Sequence, residues 1–181
     1  MGNVRNRADS LAASPARCMI VTENLAEASV RIRPAAVADL PAIVAMRDRL
    51  NELERAACPH AAIQPFTLEQ FTTHWSPSMS NPNFCWRIVD ADGRPVGFGL
   101  IYLLAPQLPR SAAYIHWAYL EESLRRRGCG RLLLDDLLAW AKSKGASRVE
   151  LQYIDGNQAA ERFWTKMGFR GFARKCVRYL E

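Results

Sequence analysis

The stretch from Ala112 to Ile154 constrains the fold more than any other. Ala112–Leu120 (AAYIHWAYL) is rich in aromatic residues and reads as a strand. Arg125–Gly130 is a turn in which glycine follows a run of arginine. Leu133, Leu137, Trp140 and Ala141 give Leu132–Lys144 one apolar helical face, and Gly145 stands where a helix closes in a left-handed residue. Val149–Ile154 is again a strand. Two strands joined through a helix lie parallel with a right-handed crossover, so a helix must cover one face of their sheet.

The other elements extend this unit. Ser29–Arg33 alternates up to Pro34 and reads as a first strand. Asp39 is expected to cap a helix with Pro41 in its first turn. That helix has the period Leu40, Ile43, Val44, Arg47, Leu50, with Arg47 its polar exception, and Cys58-Pro59-His60 breaks it. Thr67 and Gln70 form a capping box for a short helix presenting Leu68, Phe71 and Trp75. Phe84–Val89 and Val96–Leu104 are strands joined by a hairpin turn at Asp90–Gly93, and a proline loop follows at Pro106–Pro109. Asn157 can cap a last helix with Ala160, Phe163, Trp164 and Met167 on one face, closed by Gly168. Phe172–Leu180 is expected as the final strand. The order predicts an α/β (α+β) domain over residues 29–181, with a single mixed central sheet flanked by helices.

Residues 1–28 carry no sustained period and read as a mobile N-terminal extension, with Met19 an alternative start. No apolar run follows their arginines, which argues against a secretory signal, and Asn6 stands where myristoylation needs Ser or Thr. The longest apolar stretch, Val96–Ala105, falls well short of the ~20 residues that span a bilayer. The five cysteines include no CxxC pair and are odd in number, which argues against structural zinc and a disulfide framework and for a reducing, cytoplasmic setting. Net charge is +6, with 20 Arg against 4 Lys, and the charges of residues 1–28 cancel. The excess favours anionic ligands. Nucleic acid is a poor candidate, because the arginines are scattered apart from Arg125–Arg127.

The chemistry is carried by Leu120-Glu121-Glu122-Ser123-Leu124-Arg125-Arg126-Arg127-Gly128-Cys129-Gly130-Arg131, which joins a strand to a helix N-terminus. Backbone NH groups converge in such a turn, and the helix dipole adds roughly +0.5 charge. Glycine at positions 128 and 130 is expected to let an anion reach the backbone. The turn therefore reads as a phosphate or pyrophosphate cradle. It is neither a P-loop, lacking Gly-Lys-Ser/Thr, nor a dinucleotide fingerprint, which would need glycine at Leu133.

Downstream stands Asn157-x-x-Ala160-x-x-Phe163-Trp164-x-x-Met167-Gly168-Phe169. With both motifs in order, the chain resembles the GNAT superfamily of acetyl-CoA-dependent N-acetyltransferases over residues 31–180. The resemblance implies a GNAT-like acyltransferase fold, with the strands matching Ala112–Leu120 and Val149–Ile154 splayed apart. It implies acetyl-CoA as co-substrate and no metal. Arg125, Arg126, Arg127, Gly128, Cys129, Gly130 and Arg131 would line the pyrophosphate turn. Ala118, Tyr119 and Leu120 would pair with the pantetheine arm and supply the oxyanion donor. Asn157 matches a pantetheine contact and equally suits a plain helix cap. Trp164 stands beside the coenzyme where the family often has a tyrosine acid. An indole NH donates a hydrogen bond but no proton, which leaves Tyr119, Tyr153 or water for the leaving thiolate.

Where the family's base comes from the strand, it matches Tyr114 or His116, which are expected to share a face with Ala118. His116 could serve, with an ordinary pKa near ~6.5, or could simply pack beside Trp117. Glu121 and Glu122 read as solvated loop carboxylates, Glu150 as a weaker base, and His60 and His74 as surface residues. An acetylated Cys129 is rejected, because that position faces the phosphates in the family. The function implied is transfer of an acetyl group to a primary amine of a small molecule or protein by direct attack in a ternary complex. The alternative is a non-catalytic acyl-CoA-binding regulator of the same fold. The resemblance admits a homodimer, and no motif names the acceptor.

Overall fold

A five-stranded sheet in the order β1-β2-β3-β4-β5 organises the chain in this computed structural model, which describes residues 29–59, 63–108, 111–173 and 175–178. The extension expected over residues 1–28, and His60, lie outside the described residues. The elements are β1 (Val30–Pro34), α1 (Leu40–Ala57), α2 (Leu68–Trp75), β2 (Phe84–Ala91), β3 (Arg94–Leu103), β4 (Ala112–Leu120), α3 (Cys129–Ser143), β5 (Arg148–Leu151) and α4 (Gln158–Lys166). The first four strands pair antiparallel, and β4 pairs parallel with β5. Two cores sit on opposite faces of the sheet. α1 and α2 bury Ile43, Met46 and Phe71 against Trp86, Phe98, Leu100 and Trp117. α3 and α4 bury Leu133, Leu137 and Trp164 against Val89, Ile101 and Ile115.

Local chemistry sets the boundaries. Asp92 and Gly93 have φ of 51° and 84°, the positive pair of a two-residue hairpin. The turn is tighter than Asp90–Gly93, because Asp90 and Ala91 stay paired with Pro95 and Arg94. At α2, Gln70 N–H donates to Thr67 Oγ1 (3.1 Å) and Thr67 N–H donates to Gln70 Oε1 (3.0 Å), so the capping box forms. Leu68 is nonetheless exposed, and Phe71 alone of that helix is fully buried.

Asp39 behaves differently from expectation. It makes no side-chain cap on α1. Its carboxylate accepts two 2.7 Å bonds from the Arg33 guanidinium and a 2.8 Å bond from Ala36 N–H, closing a single 3-10 turn at Val37–Asp39. Arg33 Nε also donates to buried Asp90 (2.9 Å), so one guanidinium ties β1, β2 and the entry to α1 together. The Arg33 hydrogen bond holds the Asp39 carboxyl below its usual range.

The final strand expected over Phe172–Leu180 is absent from the described residues, which follow no strand at 172–173 and 175–178. Phe172 is 93% and Val177 70% exposed. Each face of that alternation mixes apolar with basic residues, so neither offers continuous burial. β5 is also short, running four residues rather than to Ile154.

Candidate active site

A one-residue bulge in β4 creates the site. Leu100 of β3 pairs with Trp117, and Ile101 pairs with Ile115, which leaves His116 as the extra residue. The insertion reverses the side-chain alternation. Ile115 enters the core under α3, while Trp117 and Tyr119 enter the core under α1. The expected shared face of Tyr114, His116 and Ala118 is thereby corrected. Ala118 packs with the α3 core, whereas His116 turns toward α2 beside Trp117, with ring centroids 4.4 Å apart, and beside Trp75 at 5.0 Å. Tyr114 stays with His116, at 6.2 Å between rings, and Tyr102 joins them at 5.9 Å.

The same strand leaves its neighbour. β4 pairs with β5 only from Ala112 to Ile115 and then continues to Leu120 paired with β3 alone, so the parallel strands splay from His116 onward. The unpartnered edge at Ala118–Leu120 runs toward the turn before α3. There Gly128 has φ +85°, Arg126 has φ 61°, and a Cβ on Gly128 would meet nothing within 4 Å. Arg126 and Arg127 are exposed around this open position. An edge of free backbone leading to an open basic helix N-terminus fits an extended ligand with an anionic end.

Other residues of the turn are occupied structurally. A Cβ on Gly130 would lie 3.2 Å from the Phe163 ring, so the absence of a side chain here gives α4 room to approach. Arg125 Nε donates to Leu120 O (3.0 Å) and its guanidinium lies 5.9 Å from the Tyr119 ring, which fastens the turn to β4. Arg131 faces Asp135 at 3.6 Å. Cys129 is buried in the α3 core. Asn157 Oδ1 accepts from Ala160 N–H (3.0 Å), the capping role. Trp164 is buried between Phe163 and Phe169, a core position.

The carboxylates near the notch are engaged as well. Glu121, expected to be solvated, pairs with Arg49 (2.8 Å) and Arg94 (2.9 Å) and is 15% exposed. Glu150 pairs with Arg148 at 2.7 Å. His74 is exposed as expected.

On the α1–α2 side, aromatic rings wall the space in front of His116. Trp75, Trp86 and Trp117 contact one another with centroids 4.8–6.0 Å apart, and Phe71 stacks on Trp117 at 5.6 Å. Trp86 Nε1 donates to Ser78 Oγ (2.8 Å), which donates to Trp75 O (2.6 Å), so this wall is anchored. Burial in it, with the Arg47 guanidinium as second cause, pushes the His116 pKa down to about 4. Burial raises the Tyr102 and Tyr114 hydroxyls above their ordinary value, so both stay protonated. His116 at neutral pH is thus an uncharged imidazole, with one nitrogen able to accept a hydrogen bond, beside two protonated tyrosines. Sequence reasoning missed the bulge, the tryptophan wall and Asn51, a fully buried residue whose only forewarning was polar Arg47 one turn earlier.

The GNAT acetyltransferase family model matches residues 47–169. The chain is 30% identical over 90 residues to the uncharacterized N-acetyltransferase YdgE of Bacillus subtilis, a match covering 50% of this chain and 57% of that protein. The chain thus spans little more than half the length of this relative. Among solved structures, a tetramutant of the BH1408 protein from Bacillus halodurans superposes with TM-score 0.69 at 22% identity, covering 83% of this chain and 99% of that one. The aminoglycoside N-acetyltransferase AAC(6')-Iy in complex with CoA superposes with TM-score 0.67 at 15% identity, covering 86% and 97%. These two likenesses concern the fold. With its family match spanning β4, the glycine turn and α4, the chain belongs to the GNAT acetyltransferase family.

Proposed function

We propose that this chain moves the acetyl group of acetyl-CoA to a primary amine by direct attack in a ternary complex. The observation that carries it is β4 parting from β5 after Ile115, with its bare edge leading to the open turn at Gly128. The Ala118–Leu120 edge would hold the pantetheine arm, and the NH groups of the turn, with Arg126 and Arg127, its pyrophosphate. The thioester supplies an activated acetyl group: the amine nitrogen bonds its carbonyl carbon, the C–S bond breaks, and the thiolate leaves.

The chain's own residues steer this exchange. A backbone NH of the Ala118–Leu120 edge would donate to the oxygen that becomes negative. The incoming amine, an ammonium near pKa ~10, sheds its first proton to solvent, and His116, neutral at pH 7, accepts a hydrogen bond from the free amine and orients its lone pair. It takes the nitrogen's proton once the new C–N bond makes that nitrogen acidic. Tyr114, protonated and with its ring 6.2 Å from that of His116, would donate toward the thiolate, which leaves readily because its thiol has a pKa near ~8.5. Cys129 stays out of the chemistry, because it is buried on the other face of the sheet.

The test joins binding and turnover. Acetyl-CoA at ~100 times its dissociation constant should stabilise the fold by roughly 2.7 kcal/mol. Mass spectrometry of an amine panel should then show a product heavier by one acetyl group. Absence of stabilisation at millimolar acetyl-CoA would overturn the coenzyme assignment. Stabilisation without product from any amine would favour the acyl-CoA-binding regulator.

A further inference from the structure

α1 carries a polar stripe into the otherwise aromatic acceptor wall. Arg47, Asn51 and Glu54 follow one another at helical spacing, and all three are wholly or half buried. Arg47 Nη1 donates to Asn51 Oδ1. The guanidinium lies over the Trp117 ring, 4.9 Å from its centroid, and 5.9 Å from that of Phe66. Two donors of this pair are buried with no partner: Arg47 Nε, and Nδ2 of Asn51, a residue with 0% exposure. Burying a charged donor and an amide donor without an acceptor is costly, so an arriving acceptor that reaches both gains two hydrogen bonds. Burial pulls the Arg47 pKa down, outweighing the Glu54 and Asp48 carboxylates, which act on it from a distance and raise it. Neither carboxylate reaches the guanidinium: no hydrogen bond or ion pair joins Asp48 or Glu54 to Arg47 among the described residues, Asp48 Oδ1 is itself buried without a partner, and burial raises the Glu54 pKa although Arg47 lowers it.

The stripe stands next to the chemistry. Arg47 and His116 both lie against Trp117, so guanidinium and imidazole are no farther apart than the two ring distances of 4.9 and 4.4 Å placed end to end. A small molecule with an acceptor at one end and an amine at the other reaches both.

Resting on the acetyltransferase reading above, we infer that the acceptor amine carries a carboxylate, which Arg47 and Asn51 bind while the amine meets His116. One cation and one neutral amide match a single negative charge better than the dianion of a phosphate. Phe66, Phe71 and Trp75 around them match an apolar or aromatic body. The acceptor class is thus an α-amino acid or the carboxylate end of a short peptide with an apolar side chain.

The probes are L-phenylalanine, L-phenylalaninamide, phenethylamine and O-phosphoethanolamine, titrated against CoA-loaded protein. Quenching of tryptophan fluorescence reports binding without requiring turnover, since Trp75 and Trp117 line the site. L-Phenylalanine should bind roughly 10- to 100-fold more tightly than its amide or phenethylamine, the range for a charge-assisted hydrogen-bond pair. Arg47→Gln should erase that preference and leave CoA affinity at the wild-type value, while Arg47→Lys, which keeps charge and packing volume, should retain part of it. Equal binding of the amide, tighter binding of the phosphate compound, or no binding of L-phenylalanine overturns the inference. CoA titration of the same samples decides the acetyltransferase reading separately.

Discussion

Gly128 separates a backbone requirement from a ligand requirement. Its φ of +85° precedes α3, and a Cβ there would meet no atom within 4 Å. An alanine therefore clashes with nothing in the folded chain and pays only the left-handed conformation, about 1–2 kcal/mol. Asparagine tolerates that region better, so Gly128→Asn should cost less than Gly128→Ala. For a chain of this length, each kcal/mol lowers Tm by roughly 2–4 °C. Thermal melts should rank wild type above Gly128→Asn above Gly128→Ala, with a drop of about 2–8 °C for alanine. CoA affinity should follow a different order. Both side chains enter the open space where the pyrophosphate would meet the backbone, and loss of about two charge-assisted hydrogen bonds corresponds to roughly 10²–10⁴-fold in affinity. Calorimetry with CoA at a temperature where all three proteins are folded checks this. Wild-type affinity in Gly128→Asn would refute the cradle, since that variant keeps the turn and fills the opening.

Gly130 should give the opposite pattern. Gly130→Val drives a branched side chain into Phe163, for a cost of about 1–3 kcal/mol, and Phe163→Leu in the same chain should restore part of it with CoA affinity unchanged throughout. For His116→Ala, turnover should fall by ~10²–10⁴-fold, and the wild-type pH–rate profile should show no His116 ionisation near ~6.5, because the folded imidazole titrates at about 4. The stability sign follows from the same shift. Folding lowers this pKa, so its contribution is intact above ~6.5 and is lost as pH falls toward about 4, and His116→Phe should move acid unfolding, followed by circular dichroism, to lower pH.

Legibility followed the range of the interactions involved. Thr67 with Gln70, Asn157 with Ala160, and Gly145 after α3 are signals complete within a few residues, and each appears in the structure as read. The glycine turn is equally local, and its strand and helix stand on either side as expected. Failures arose where a distant partner decided the outcome. Asp39 carries the composition of a helix cap, yet Arg33 on β1 captures its carboxylate. Glu121 has a loop address, yet Arg49 and Arg94 converge on it from α1 and β3. Phe172–Leu180 has strand composition, but its described residues form no strand.

The bulge at His116 is the most consequential of these non-local facts. Nothing in AAYIHWAYL shows that one residue is surplus, because the surplus is defined against Leu100 and Ile101 of β3. Without it, Ile115 and Trp117 would share a face, and Trp117 could not stack on Phe71. With it, His116 and Trp117 both turn toward α2, where the aromatic wall buries the imidazole and Arg47 repels its proton. The pairing of β4 with β5 ends at Ile115, so the strands part at the inserted residue itself. A single added residue thus sets where the imidazole stands and which protonation state it holds, at the point where the sheet opens beside it.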